Sequence, residues 1–353
     1  MKDVGRQLFC ALAVLLLLVG CSSGPEKSTP GAQEPGGWVD EDVTFVADGL
    51  TIHGTYRHQG DAPGPAALLI SESGNTDRNG DNAVAGPVGN MRQLAEYLSG
   101  KGIASLRYDK VGTGKTGLGP YALRPADVGS AVYTSGAKAA VRFLAEKPGT
   151  EKSRISVYAL GEGTVHAMTL ATDTAPDAPK VHSLGLFQPL SGRYLDIITA
   201  RVRSSVDADV ASGAKTRQQA DDVLKTWNAA VEEARTKGTA PAKLPEGLGA
   251  ILNPGNVKAV VEADAIDPVA LAAKVPAGTP VLVTCSDSDS QANCAAEVAL
   301  TAALGRHTAL TVVGLQGVNH VLRDDPTDNV ANYASKDPLS SQLVAALDAF
   351  VGK

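Results

Sequence analysis

Two residues near the C-terminal end of the chain, Asp289 and His320, have the types needed to hold and move a proton. A carboxylate can orient an imidazole, and the imidazole can then take a proton from a hydroxyl or a water. Asp289 lies in Ser286-Asp287-Ser288-Asp289-Ser290, where Asp287 is a rival for the same role, and His320 ends Gly317-Val318-Asn319-His320. Upstream, the apolar run Ile155 to Leu160 leads into Gly161-Glu162-Gly163-Thr164. That is the setting of a nucleophile elbow, G-x-S-x-G, in which Ala159 takes the first glycine, Gly161 the serine and Gly163 the last glycine. The hydroxyl that acyl transfer needs is missing from the turn. Ser73 and Thr164 are the hydroxyls nearest to the site in sequence, and a water activated by His320 is a third possibility. The plain alternatives are a structural histidine after a strand and Ser/Asp clusters that are simply turns.

These residues need a frame. Val43, Phe45, Leu50, Ile52 and Tyr56 alternate about Asp48-Gly49, the pattern of a hairpin. Ala66–Ile70, Ile103–Arg107, the run ending at Leu160, His182–Phe187, Pro280–Thr284 and Ala309–Val313 read as strands. Helices are expected from Pro87 through Leu98, over Val128–Leu144, Thr164–Ala171 and Ala292–Leu304, and from an Asp337 N-cap through Phe350. Strands alternating with helices predict an α/β fold with a mostly parallel sheet covered on both faces. The alternation stops between Arg193 and about Lys274, an Ala-rich helical span that reads as a cap insertion. In an open α/β sheet ligands bind at the carboxyl ends of strands. The loops Ser71–Asn82, Ser286–Ser290 and Gly317–His320 all follow strand ends, and with the elbow they run in the order nucleophile, acid, histidine.

The chain resembles the α/β-hydrolase carboxylesterases that carry an S-G-S-G-P-T-D-R-x-G-N type loop after an early strand and R-Y-D-x-R-G-x-G-x-S after the next. Here these stand as Ser71-Glu72-Ser73-Gly74-Asn75-Thr76-Asp77-Arg78-Asn79-Gly80-Asp81-Asn82 and Arg107-Tyr108-Asp109-Lys110-Val111-Gly112-Thr113-Gly114-Lys115-Thr116. The resemblance runs from about Val43 to the C-terminus, with departures at Glu72, Asn75, Val111 and Gly161. It implies an α/β-hydrolase fold in which His320 is the general base and Asp289 its orienting acid. It also implies that the backbone N–H of Glu162 and a donor around Ser73 form an oxyanion hole. Asp77, Arg78 and Asp81 are expected to hold the early loop together. With glycine at the nucleophile position, the expectation is a scaffold with lost or impaired catalysis and a cleft for an acyl or ester-like small molecule. A working ester hydrolase with another nucleophile, and a purely structural envelope protein, are the alternatives.

Composition excludes some partners and adds others. A formal net charge of −6 without a basic stripe argues against nucleic acid. Gly112-Thr113-Gly114-Lys115-Thr116 is no phosphate loop, because Asp109 stands where the motif needs glycine, so no nucleotide is expected. No cofactor or metal is expected either. Lys2 and Arg6 precede the apolar segment Leu8–Val19, which is too short to span a bilayer comfortably, and Leu18-Val19-Gly20-Cys21 resembles a bacterial lipobox. The expected organisation is a signal peptide over 1–20, a lipidated Cys21 that anchors the chain to the cell-envelope membrane, and a tether over 21–37. A domain over 38–353 follows, with the cap at about 193–274. An oxidising compartment would then pair Cys285 with Cys294, against the alternative of two free buried thiols.

Overall fold

The computed structural model describes residues 37–245 and 247–352. The expected signal peptide, Cys21 and the tether up to residue 36 lie outside the described residues.

Eight strands form one sheet: β1 (Val39–Ala47), β2 (Leu50–His58), β3 (Gly64–Ile70), β4 (Ala104–Tyr108), β5 (Thr150–Leu160), β6 (Val181–Phe187), β7 (Pro280–Ser286) and β8 (Ala309–Leu315). Their order is β1-β2-β4-β3-β5-β6-β7-β8. The β1–β2 hairpin is antiparallel, and Asp48 and Gly49 at its tip both take positive φ, as a tight D-G turn requires. The pairing of β2 with β4 is also antiparallel, and every pairing from β4 to β8 is parallel. Parallel strands are buried on both faces, which is why β3 reads Ala-Ala-Leu-Leu-Ile without alternation and is buried from Ala66 to Ile70.

Helices α1 (Asn90–Gly100), α2 (Ser130–Glu146) and α3 (Gly163–Ala171) follow β3, β4 and β5. Helices α4 (Tyr194–Ala211), α5 (Arg217–Lys237), α6 (Leu248–Ile251), α7 (Val257–Asp264) and α8 (Pro268–Ala272) lie between β6 and β7, and α9 (Val298–Gly305) and α10 (Ser341–Phe350) come last. Three helix starts fall three or more residues later than the sequence pattern suggests. Gly89 is left-handed at φ 70°, so α1 cannot extend back to Pro87. The Cys285–Cys294 disulfide and the turn at Asp289 hold residues 287–297 in loop form, and α9 starts only after Glu297. The last helix takes Ser340 as its cap, its Oγ accepting from Gln342 N, because the Asp337 carbonyl is engaged by Arg323 Nε and Gln93 Nε2.

The chain divides into two compact units. The larger comprises residues 37–122, 132–191 and 268–352 and contains the sheet. Its core joins Leu69, Leu94, Leu98, Tyr158, Phe187, Leu282, Leu343 and Leu347. The smaller comprises residues 123–131 and 192–267, so α8, within the expected cap, belongs to the sheet unit. In the smaller unit α4 and α5 pack around the fully buried Trp227, whose Nε1 donates to Thr199 Oγ1 at 2.9 Å. Buried Asp264 accepts from Arg193, Arg235 and the Leu195 amide. Thr216 and Gln219 close a capping box at the start of α5, and left-handed Gly238 ends it.

Candidate functional site

Strand β5 ends at Leu160, and Gly161 turns the chain into α3 with φ 53°. That left-handed conformation is open to glycine at no steric cost. Gly161 N donates to Phe187 O at 3.1 Å, which fixes the turn at the carboxyl end of the sheet. Gly163 is needed for a second reason: a Cβ there would stand 2.8 Å from Ser71 O and 2.9 Å from Ile70 O. The β5 turn and the loop after β3 therefore touch backbone to backbone.

Asp289 and His320 come together from the loops after β7 and β8. His320 Nδ1 lies 2.8 Å from Asp289 Oδ2. Asp289 Oδ1 accepts from the amides of Gln291 and Ala292, which seats the carboxylate in its own turn. Asp287 is directed elsewhere, accepting from Gly317 N and Ser288 Oγ. A residue that the sequence did not flag, Asp328, ties the two loops together. Its Oδ1 accepts from His320 N and Tyr333 OH, and its Oδ2 from the amide and hydroxyl of Ser290.

The second residue missed in sequence is Glu72, visible there only as a departure from a glycine. Its Oε2 lies 3.1 Å from His320 Nε2. Its Oε1 accepts from Ser73 N at 2.7 Å and, in a longer contact of 3.5 Å, from Glu162 N. These are the two backbone donors expected of an oxyanion hole, and both point at a carboxylate of the chain itself. A Cβ built on Gly161 would lie 1.5 Å from Glu72 Oε2, about the length of one covalent C–O bond. A serine side chain at position 161 and Glu72 Oε2 therefore claim the same small region, and Oε2 is the group in reach of His320.

Charge follows from this geometry. Burial disfavours the ionised form of Glu72, but the hydrogen bond and charge of His320 together with the Ser73 amide outweigh it and hold the carboxyl at about 2. Burial likewise works against protonation of His320, yet Asp289 and Glu72 on its two nitrogens raise it well above its ordinary value. Asp289 is lowered, burial being overcome by the His320 charge. The group is an imidazolium clamped between two carboxylates. Around it, burial raises Glu162, with Lys110 opposing and Glu72 adding to the rise. Lys110 is lowered by burial, and its Nζ donates to the Glu72 carbonyl and sits 5.6 Å over the Tyr133 ring.

The remaining candidates are placed as follows. Thr164 is fully buried and its Oγ1 donates to Gly161 O at 2.6 Å, a cap on the turn. Ser73 is exposed and meets Glu72 through its amide. Asp77 and Asp81 order the early loop, Asp77 Oδ1 accepting from the Asn79 and Asp81 amides and Asp81 Oδ1 from Gly89 N. Among the described residues no group of His, Cys, Asp and Glu could hold a metal ion. No described helix is long and apolar enough to cross a membrane.

No family model and no curated protein matches the chain. Solved structures do. The complex of DcsB with its substrate analogue is similar at a TM-score of 0.55 and 15% identity, over 88% of this chain and 98% of that one. The Pyrococcus furiosus esterase Pf2001 gives 0.52 and 16%, over 89% and 94%. Est1E from Butyrivibrio proteoclasticus with ferulic acid bound gives 0.51 and 17%, over 82% and 97%. Sheet order, crossovers and these likenesses define an α/β-hydrolase fold, and at such identity they define the fold alone.

Proposed function

We propose that this chain is an α/β-hydrolase-fold protein of the carboxylesterase type in which ester hydrolysis by a serine nucleophile has been lost. The observation that carries the reading is the 1.5 Å between Glu72 Oε2 and a Cβ at Gly161. The serine is absent, its place is filled, and the oxyanion donors are spent on the filling group. Removing a triad nucleophile alone costs about 10⁶-fold in turnover, with roughly 10³–10⁴ over water remaining from the oxyanion hole and binding. Here the oxyanion hole is occupied as well, so even that remainder is reduced. An ester hydrolase using Ser73 or Thr164 finds no support, because Asp289 and Glu72 take both ring nitrogens of His320. A small acyl or ester-like ligand would have to bind beside Glu72 or displace it. The lipobox-like Leu18-Val19-Gly20-Cys21 supports export and membrane anchoring of the same protein through Cys21.

The test is turnover of short-chain p-nitrophenyl esters. The unaltered protein is expected to show none above the uncatalysed rate. Gly161→Ser alone should gain less activity than the variant that also removes Glu72, since its side chain must first displace the Glu72 carboxylate. Gly161→Ser with Glu72→Gly should gain activity that His320→Ala removes. Ester turnover by the unaltered protein that His320→Ala abolishes would sink the proposal. Anchoring is checked separately: Cys21→Ser should move the protein from the membrane fraction to the soluble one.

A further inference from the structure

Glu72 is more than an obstruction if its surroundings are read as chemistry. Its Oε2 stands 1.5 Å from where a Cβ at position 161 would be, beside His320 Nε2, and its Oε1 already accepts from Ser73 N and Glu162 N. The side chain keeps 21% of its surface open. We propose that Glu72 is a carboxylate nucleophile toward saturated carbon, and that small epoxides are the class of substrate it takes. The proposal rests on the reading above that Glu72 Oε2 fills the space of a side chain at position 161.

Carboxylates are established covalent nucleophiles. Attack on an ester carbonyl would give an anhydride that the expelled alkoxide reverses at once. Attack on saturated carbon gives an ordinary ester, which can then be hydrolysed. An epoxide fits better than a substrate with an anionic leaving group because its oxygen needs a proton, and His320 holds one next to Oε2.

The steps balance. In the first, Glu72 Oε2 forms a bond to an epoxide carbon and the C–O bond of the ring breaks. The electron pair goes to the ring oxygen, which takes the Nε2 proton of His320 directly or through one water. Glu72 is now a neutral ester, and His320, with only Asp289 as a charged partner, is a neutral base. In the second step His320 takes a proton from water as the water oxygen adds to Glu72 Cδ. The negative charge develops on Oε1, where the Ser73 and Glu162 amides already point, with no reorganisation needed. The tetrahedral carbon then expels the diol together with Oε2, and the diol oxygen takes the proton from His320. The new carboxyl gives its proton to His320, which restores the ion pair. The net reaction is epoxide plus water to diol, and one oxygen of Glu72 is replaced in each turnover.

That exchange is the test. The full-length protein is incubated with styrene oxide or 1,2-epoxyoctane in oxygen-18 water, and the peptide containing Glu72 is weighed. The expected result is a peptide heavier by one oxygen-18, only when epoxide is present. In His320→Ala, which lacks both the acid of the first step and the base of the second, label and diol are expected to fall together. Glu72→Gln should lose diol formation by about 10³-fold or more, with folding checked by circular dichroism. Oxygen-18 confined to the diol, diol formation that survives in Glu72→Gln, or no label and no adduct in the folded unaltered protein would each overturn the proposal. Failure here leaves the ester result untouched, and ester turnover by the unaltered protein would fail the earlier reading whatever the label shows.

Discussion

Two carboxylates at the carboxyl ends of neighbouring strands are each pressed against a glycine, and they serve opposite ends. Asp109, after β4, lies 2.3 Å from a Cβ built on Gly114, as Glu72, after β3, lies 1.5 Å from one on Gly161. Asp109 accepts from Arg78 N, Arg78 Nη2 and Lys115 N at 3.0, 2.8 and 2.8 Å, and its side chain is 2% exposed. Arg78 in turn reaches Asp42 and Thr55. Glu72 meets an imidazole instead, and its side chain stays partly open. A guanidinium keeps its proton, whereas an imidazole is the side chain whose charge an ordinary pH change can switch. The difference between a strut and a site lies in the partner and the access, not in the carboxylate.

The comparison is broken most severely at the strut. Arg78→Ala leaves Asp109 buried and uncompensated, and the expected loss is about 3–5 kcal/mol of stability in denaturant titration. A loss no larger than that of Glu72→Gln would mean that the two clusters do not differ in the way described. Next comes the disulfide that closes the Asp289 loop. Cys285→Ser with Cys294→Ser should cost about 2–3 kcal/mol in the same titration. It should also shift the His320 ring resonances, because Asp289 lies inside the closed loop.

Behind Asp289 sits Glu297, 1% exposed, whose carboxyl oxygens have no hydrogen-bond partner among the described residues. Burial and the Asp289 charge push it up to about 8 from an ordinary 4.5. The folded state therefore binds a proton that the unfolded state has released, and stability falls as pH rises from 4.5 through 8. Glu297→Gln should remove that slope and gain about 2 kcal/mol at pH 8.5, read from melts across pH. An unchanged slope would place the titration elsewhere.

Much of this frame was legible because it is local. The Ile155–Leu160 run with Gly161 and Gly163, the β3 run and the Asp48-Gly49 hairpin announce themselves by pattern within a dozen residues. The loops bearing Asp289 and His320 could be found from their strands and from the resemblance. Asp289 rather than Asp287 could not be chosen by residue type, since the choice depends on which carboxylate its own turn leaves facing the imidazole. Glu72 was visible only as an odd residue in a glycine-rich loop. Its meaning depends on the absence of a side chain at Gly161, 89 positions along the chain, and no local pattern carries that information across such a distance. The consequence reaches the chemistry. A serine put at position 161 would bring a hydroxyl to the turn, but its Cβ would meet Glu72 Oε2 at 1.5 Å.

The smallest expected effect tests the site itself. In Glu72→Gln the amide oxygen can still accept from His320 Nε2, but one of the two charges flanking the imidazolium is gone. Glu72, held at about 2 against an ordinary 4.5, contributes stability that is present above 4.5 and lost as pH falls through 2. His320, raised above 6.5, contributes stability that is present below 6.5 and lost as pH rises through its elevated value. The two overlap between pH 4.5 and 6.5. The difference between the unaltered protein and Glu72→Gln should peak there, at about 1 kcal/mol, and shrink on either side. A flat difference for Glu72→Gln, followed by His320 ring titration in NMR, would make Glu72 a second strut and erase the contrast with Asp109.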